Sequence, residues 1–198
     1  MPPDRQNRPL RIGFDLDGVI LYNPARIVRP IFAWIRRLIL KQKKTIFYVP
    51  QTSLEKAFWW LVHKSSLFPN YGYHELTKLI KTQNIKAYII TGRYEVLDKD
   101  FKKWCSRLEA DKYFQACLNN KANLQPHKFK RQMIKKLGLD IFVEDNWDII
   151  QLIKNGEKTN SRVKLFWIYN ILDKNIPYKY KFKNLKQVSD YLTRGGRR

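Results

Sequence analysis

Two carboxylates one residue apart, Asp15 and Asp17, stand between an apolar run (Leu10, Ile12, Phe14) and Gly18 in the segment LRIGFDLDGV. The run has the composition of a short buried strand, so an apolar interior ends in negative charge. Two Asp at this spacing repel strongly unless a cation lies between them or one of them keeps its proton. Gly18 allows a sharp turn that leaves both carboxylates at an open sheet edge. Taken alone, Asp-x-Asp-Gly is equally an Asx-type turn after a strand.

A second acidic cluster lies in PHKFKRQMIKKLGLDIFVEDNWD, residues 126–148. Ile141, Phe142 and Val143 read as a short buried strand that ends in Glu144-Asp145, with Asp148 a step further on. The preceding helix buries Met133, Ile134 and Leu137 and stops at Gly138. Lys130 lies one turn earlier on the same side, where its long stem can reach the adjoining sheet edge. Lys128 is a close rival for that role. Between the clusters, the strand Lys86–Ile90 runs into Thr91-Gly92-Arg93. A hydroxyl, an approachable backbone and a forked cation together make an anion seat, although Thr-Gly after a strand is also common turn chemistry.

The intervening elements must bring these tips together. Ile27 to Lys41 reads as an amphipathic helix with Ile27, Ile31, Trp34, Ile35 and Leu38 on one stripe. A second helix, Ser53 to Lys64, has Leu54, Ala57, Phe58 and Leu61 as its inner stripe. Trp59 and Trp60 then point to either side, and burial against the first helix is the expectation for both. With a third helix at His74–Thr82, residues 23–84 form a mostly helical insertion between two strands. A helix over Glu95–Leu108, a strand over Tyr113–Leu118, a helix through Ile153, a strand over Val163–Ile168 and a helix over Asn184–Leu192 complete the pattern. Met1–Pro9 and Thr193–Arg198 read as loosely held ends.

At 198 residues and 44% hydrophobic, the chain can bury a substantial core. Two cysteines, Cys105 and Cys117, suit reduced thiols in a cytoplasmic protein better than a disulfide scaffold. The first nine residues lack the apolar run of a signal peptide, and Arg29, Arg36 and Arg37 interrupt the longest apolar stretch, so no transmembrane segment is expected. The net charge of +22 favours phosphate-bearing partners, whether nucleotides, nucleic acid or an anionic membrane surface. The lysines are scattered, as on an ordinary solvated surface, and do not choose among these.

In this order, DxDGV, strand-TGR, a helix lysine and strand-ED-x-x-D resemble the four motifs of the haloacid dehalogenase (HAD) superfamily of phosphotransferases. The resemblance covers Leu10–Val19 and Lys86 to about Ile168. It implies an α/β fold, a Rossmann-like core of mostly parallel sheet formed by residues 10–22 and 85–198, with residues 23–84 as a C1-type helical cap inserted after the first strand. The TGR and ED wording is similar to the deoxyribonucleotidase-like branch.

The resemblance also implies roles. Asp15 would be the nucleophile forming an aspartyl-phosphate, and Asp17 the general acid and base. Thr91, with Gly92, Arg93 and the lysine Lys130 or Lys128, would hold the phosphoryl group. Mg²⁺ would sit on Asp15, the Asp17 main-chain carbonyl and Asp145, with Glu144 and Asp148 orienting its waters. Repulsion among five acids at one sheet edge calls for a divalent cation independently of the family, and oxygen-only ligands suit Mg²⁺ over zinc. The implied activity is Mg²⁺-dependent hydrolysis of a small phosphorylated metabolite such as a nucleoside monophosphate. Nucleic-acid ends or lipid phosphates are alternative substrates, and a non-catalytic basic nucleic-acid-binding protein is the third possibility.

Overall fold

The structure, a computed structural model, describes residues 8–24, 47, 49–63, 66–156 and 163–195. In chain order its elements are β1 (Leu10–Phe14), β2 (Leu21–Tyr22), α1 (Ser53–His63), β3 (Phe68–Pro69), α2 (Tyr73–Thr82), β4 (Ile85–Tyr94), α3 (Asp98–Arg107), β5 (Ala116–Asn120), α4 (Pro126–Leu137), β6 (Ile141–Glu144), α5 (Trp147–Asn155), β7 (Lys164–Ile168), β8 (Lys181–Phe182) and α6 (Leu185–Thr193). Six strands form one sheet in the order β5-β4-β1-β6-β7-β8, and every neighbouring pair is parallel. With the short β2–β3 ribbon set aside, this is the order of a doubly wound sheet. The winding reverses at β1, whose neighbours are β4 and β6, and such a switch point opens a crevice at the carboxyl ends of the strands.

Strand alternation sorts the side chains into two layers. Ile12, Phe14, Ala87, Ile89, Ile141, Val143, Phe166 and Ile168 face one cluster, together with Leu76, Leu79 and Ile80 of α2 and Leu185, Val188 and Leu192 of α6. Tyr88, Ile90, Phe142, Leu165 and Trp167 face the other, under Phe129 and Ile134 of α4 and Ile149, Ile150 and Ile153 of α5. Each fully buried Ile or Phe contributes about 1.5–3 kcal/mol, which makes the sheet a firm platform for whatever leaves its edge. Burial on both faces also explains why β6 reads IFV and not as an alternating strand.

Several boundaries differ from the sequence reading. β4 continues through the Thr91-Gly92-Arg93 segment to Tyr94, and a single turn at Glu95–Leu97 precedes α3. A further turn at Ala110–Lys112, closed by Phe114 N–H onto the Ala110 carbonyl, delays β5 until Ala116. The β2–β3 ribbon and β8 have two residues per strand, too few to produce a periodic signal. α2 was expected inside the insertion, but it lies on the core against α6.

The expected inner stripe of α1 is overturned. Leu54 is 85% exposed and Leu61 61% exposed, while Trp59 turns inward and stacks on Tyr94 with ring centroids 6.2 Å apart. A large ring gains more from one good aromatic partner than the smaller aliphatics gain from the opposite face, and counting apolar positions cannot reveal that choice. Trp60, expected to be buried, is 41% exposed. The expected helix at residues 27–41 lies outside the described residues. Cys105 and Cys117 are free, half-buried thiols. Among the described residues, no helix is long and apolar enough to cross a membrane.

Candidate active site

The acids leave the sheet at the switch point. Asp15 N–H donates to the Val143 carbonyl at 2.9 Å, which carries the β1–β6 ladder one step past Phe14 and sets Asp15 beside Glu144. Carboxylate oxygens of Asp15, Glu144 and Asp145 all lie within 4.8 Å of one another, and all three residues are buried. Lys130 reaches them from α4. Its Nζ is 2.9 Å from Asp15 Oδ2 and donates to Glu144 Oε2 at 2.7 Å, and the residue is only 2% exposed. Lys128, the rival position, is exposed. A twelve-residue helix that opens on Pro126 and stops at Gly138, where φ is 56°, places Lys130 on the sheet-facing side beside Phe129 and Ile134.

The loop after β6 is held from below. Trp167 Nε1 donates to the Asp145 carbonyl at 3.2 Å, and Trp147 packs on the Trp167 ring. Asn146 caps α5, its side-chain oxygen accepting from the N–H groups of Asp148 and Ile149. Asp148 is half-buried in the first turn of that helix, outside the three-carboxylate group. From the opposite side the turn after β1 approaches Asp145 through Gly18, whose φ is +84°. A Cβ there would fall 2.1 Å from Asp145 Oδ2. Gly18→Ala should therefore cost about 1–3 kcal/mol in backbone strain alone and displace the Asp145 carboxylate. Urea unfolding of the purified variant measures this, and stability equal to wild type would show that the loop relaxes freely.

Asp17 points to a separate network. Arg93 Nε donates to Asp17 Oδ2 at 2.8 Å and Nη2 to Oδ1 at 2.7 Å, a bidentate pair with Arg93 2% exposed. Nη1 donates to Asp100 Oδ2 at 2.6 Å, and Ser66 Oγ donates to Asp17 Oδ1, also at 2.6 Å. Asn23 Nδ2 donates to Ser66 Oγ at 3.3 Å, so the start of the insertion and a residue well inside it meet at this carboxylate. The sequence reading pictured Arg93 forking onto a phosphate, whereas its fork grips Asp17. Ser66 and Asn23, both buried, went unnoticed because neither belongs to a motif and their partners are remote in sequence. Thr91, 1% exposed, accepts the Arg93 N–H at its Oγ1. Gly92 faces Pro126 at the start of α4, so that a Cβ would lie 2.9 Å from the proline Cβ.

Burial is the largest influence on these charges. It raises the Asp15 carboxyl, and Asp145 and Asp17 add to the rise while Lys130 opposes it. It raises Glu144 in the same way, to about 8, with Lys130 opposing and Asp15 and Asp145 adding. For Lys130, burial alone would lower the ammonium, but Asp15 and Glu144 together outweigh it and leave it firmly charged. Three carboxyl groups beside one ammonium make a buried, oxygen-only setting. That donor set fits a hard divalent cation, Mg²⁺ above all, and offers no nitrogen or sulfur to a softer metal.

A doubly wound parallel sheet thus carries three acids and a buried lysine at its switch point. Neither a protein-family model nor a curated protein sequence matches the chain. Solved structures do match. The Bacillus subtilis protein YfnB, described as a HAD-hydrolase bound to magnesium, is 11% identical with a TM-score of 0.59, covering 94% of this chain and 99% of that one. CbbY from Rhodobacter sphaeroides in complex with phosphate is 11% identical at a TM-score of 0.56, covering 91% and 96%. A HAD-superfamily hydrolase from Ehrlichia chaffeensis is 13% identical at 0.54, covering 94% and 97%. The chain has the HAD-superfamily fold.

Proposed function

We propose that the protein is a Mg²⁺-dependent phosphomonoesterase that works through an aspartyl-phosphate on Asp15. The observation that carries this reading is the convergence of Asp15, Glu144 and Asp145 within 4.8 Å of one another, with Lys130 on the first two. Asp15 Oδ attacks phosphorus as the bond to the leaving oxygen breaks, and Asp17, entering in its protonated form, gives that oxygen its proton and becomes the carboxylate that Arg93 grips. Asp17 then takes a proton from the water that cleaves the acyl phosphate, which frees inorganic phosphate and regenerates Asp15. The clamp of Arg93 and Ser66 fixes the direction of the Asp17 carboxyl, while Thr91 Oγ1 and the Gly92 backbone would meet the phosphoryl oxygens. Lys130 shares the charge of Asp15 and of the arriving phosphate. Asp15, Asp145 and the Asp17 carbonyl would hold Mg²⁺, with Glu144 and Asp148 orienting its waters, and the ion supplies the positive charge that lets a carboxylate approach a phosphate. The part of residues 23–84 that precedes α2 would serve as the cap.

The purified protein should release phosphate from p-nitrophenyl phosphate and from a panel of phosphorylated metabolites when Mg²⁺ is present. Chelation with EDTA should abolish release and added Mg²⁺ should restore it. Absence of release from every panel member at saturating Mg²⁺ would sink the reading.

A further inference from the structure

Cys105 lies on α3 and Cys117 on β5, and the chain holds two cysteines in all. Cys117 pairs with Ile89 of β4, and both cysteines pack against the cluster that Ile89 faces. The two sulfurs therefore meet between helix and sheet, close enough for the Cys117 S–H to donate to Cys105 Sγ. Both also act on the Tyr73 phenol, whose hydroxyl donates to the Leu108 carbonyl at 2.8 Å. Each cysteine is half-buried and keeps part of its surface in solvent, unlike the sealed side chains of the sheet beside it.

The two thiols are not equivalent. The hydrogen bond from Cys117 lowers Cys105, burial opposes, and the positive charge of Arg93 adds to the lowering. The same hydrogen bond raises Cys117, with burial and the charges of Cys105 and Asp111 adding to the rise. One thiolate backed by one thiol is the arrangement in which a nucleophilic sulfur has its resolving partner at hand. Cysteines kept only as small hydrophobes need no such polarity, because apolar surroundings hold both thiols neutral.

We propose that Cys105 and Cys117 form a reversible oxidation site for a hydroperoxide, closed by a disulfide between α3 and β5. The Cys105 thiolate attacks one oxygen of the peroxide. An S–O bond forms, the O–O bond breaks, and the other oxygen takes up a proton and leaves as water or alcohol, which gives the sulfenic acid. The Cys117 sulfur then attacks Cys105 Sγ, and its proton goes to the departing hydroxyl. An S–S bond forms, the S–O bond breaks and water leaves. Two thiols are oxidised, one peroxide is reduced by two electrons, and an added dithiol reverses the bridge by exchange. Sulfurs already in contact need only draw in to about 2.05 Å. The bridge pins α3 to the sheet beside the Asp17 clamp. Asp100, which accepts from Arg93 Nη1 at 2.6 Å, precedes Cys105 on α3, and Ile89, the partner of Cys117, precedes Arg93 on β4.

The test incubates folded wild type with a small excess of hydrogen peroxide and reads the product by intact mass and thiol labelling. The expected product is a monomer lighter by two hydrogens, with both thiols closed to a maleimide and both reopened by dithiothreitol. Its urea midpoint should lie above that of the reduced protein, because the bridge restrains the unfolded chain. Cys117→Ser should stop at the sulfenic acid, which dimedone traps. Cys105→Ser should be trapped more slowly by about tenfold or more, as expected of the less ionised sulfur. Equal trapping rates in the two variants overturn Cys105 as the attacking thiol. A disulfide-linked dimer, oxidation past the sulfenic acid on one cysteine with the other still free, or two thiols that stay open to maleimide overturns the site. So does a midpoint at or below that of the reduced protein, since the bridge would then form only by straining the fold. None of these readouts involves phosphate release, so the phosphatase reading stands or falls separately.

Discussion

Asp15→Asn is expected to lower the rate of phosphate release at saturating Mg²⁺ by at least about 10⁴-fold, the scale on which removal of a covalent nucleophile acts. The substitution conserves shape, and its amide oxygen can still accept the Leu16 N–H that Asp15 Oδ1 accepts at 2.9 Å. The fold should therefore persist, as circular dichroism would confirm, with a lowered urea midpoint because Lys130 loses the carboxylate oxygen 2.9 Å from its Nζ and keeps Glu144. What disappears is the anionic oxygen that bonds to phosphorus. One of the three carboxylates of the acidic group disappears with it, so the Mg²⁺ needed for half-maximal activity of any residual turnover should rise. Burst kinetics with p-nitrophenyl phosphate offer a second readout. An aspartyl-phosphate that accumulates in wild type should be trapped by rapid acid quench and be absent from the variant. Retention of more than a tenth of wild-type activity by Asp15→Asn would remove Asp15 from the nucleophile's role.

Lys130→Met should produce the largest loss of stability. The stem and its packing are approximately preserved, but Asp15 and Glu144 lose the cation that lies 2.9 and 2.7 Å from them. Breaking a buried ion pair from one side costs about 3–5 kcal/mol, because the partner's charge stays buried. The cost should depend on pH in a definite direction. Burial and neighbouring acids already raise Asp15 and Glu144 above their ordinary values, Glu144 to about 8, and Lys130 is the group that opposes the rise in both. Without it, both carboxyls rise further and the folded state binds protons still more readily than the unfolded state does, so stability falls as pH rises above the ordinary carboxylate range and recovers on acidification. Urea unfolding of metal-free protein at pH 5 and pH 8 should show a smaller deficit at the lower pH. A deficit independent of pH would mean that lost packing, and not unpaired charge, dominates. Activity should drop as well, by about 10²–10³-fold, as expected when a buried charge aimed at the transition state is removed.

These variants concern side chains whose convergence was only partly legible beforehand. Each acidic tip could be recognised locally, because Asp15-x-Asp17-Gly18 and Glu144-Asp145 both interrupt apolar runs, and an abrupt change from apolar to acidic is visible in a single window. The choice between Lys128 and Lys130 followed from helical spacing, since only Lys130 shares a side with the buried positions of α4. The partners of Asp17 were invisible for the opposite reason. Arg93 is 76 residues away and Ser66 is 49 residues away, and no periodicity links them. The inward turn of α1 escaped in the same manner, because Trp59 finds Tyr94 across a chain separation that no local pattern encodes.

Amino-acid order by itself determined the longer strands, the helix that carries Lys130, the turn at Gly18 and the negative charge after β1 and β6, all of which follow from neighbours within a few residues. Tertiary structure alone decided that β1 lies between β4 and β6, that Asp145 comes against Gly18, and that Arg93 clamps Asp17 and so does not face outward. Sheet pairing is the physical reason. A parallel ladder joins segments more than a hundred residues apart through backbone hydrogen bonds common to every residue type, so their meeting is settled by the packing of both faces of the sheet and not by any local signature.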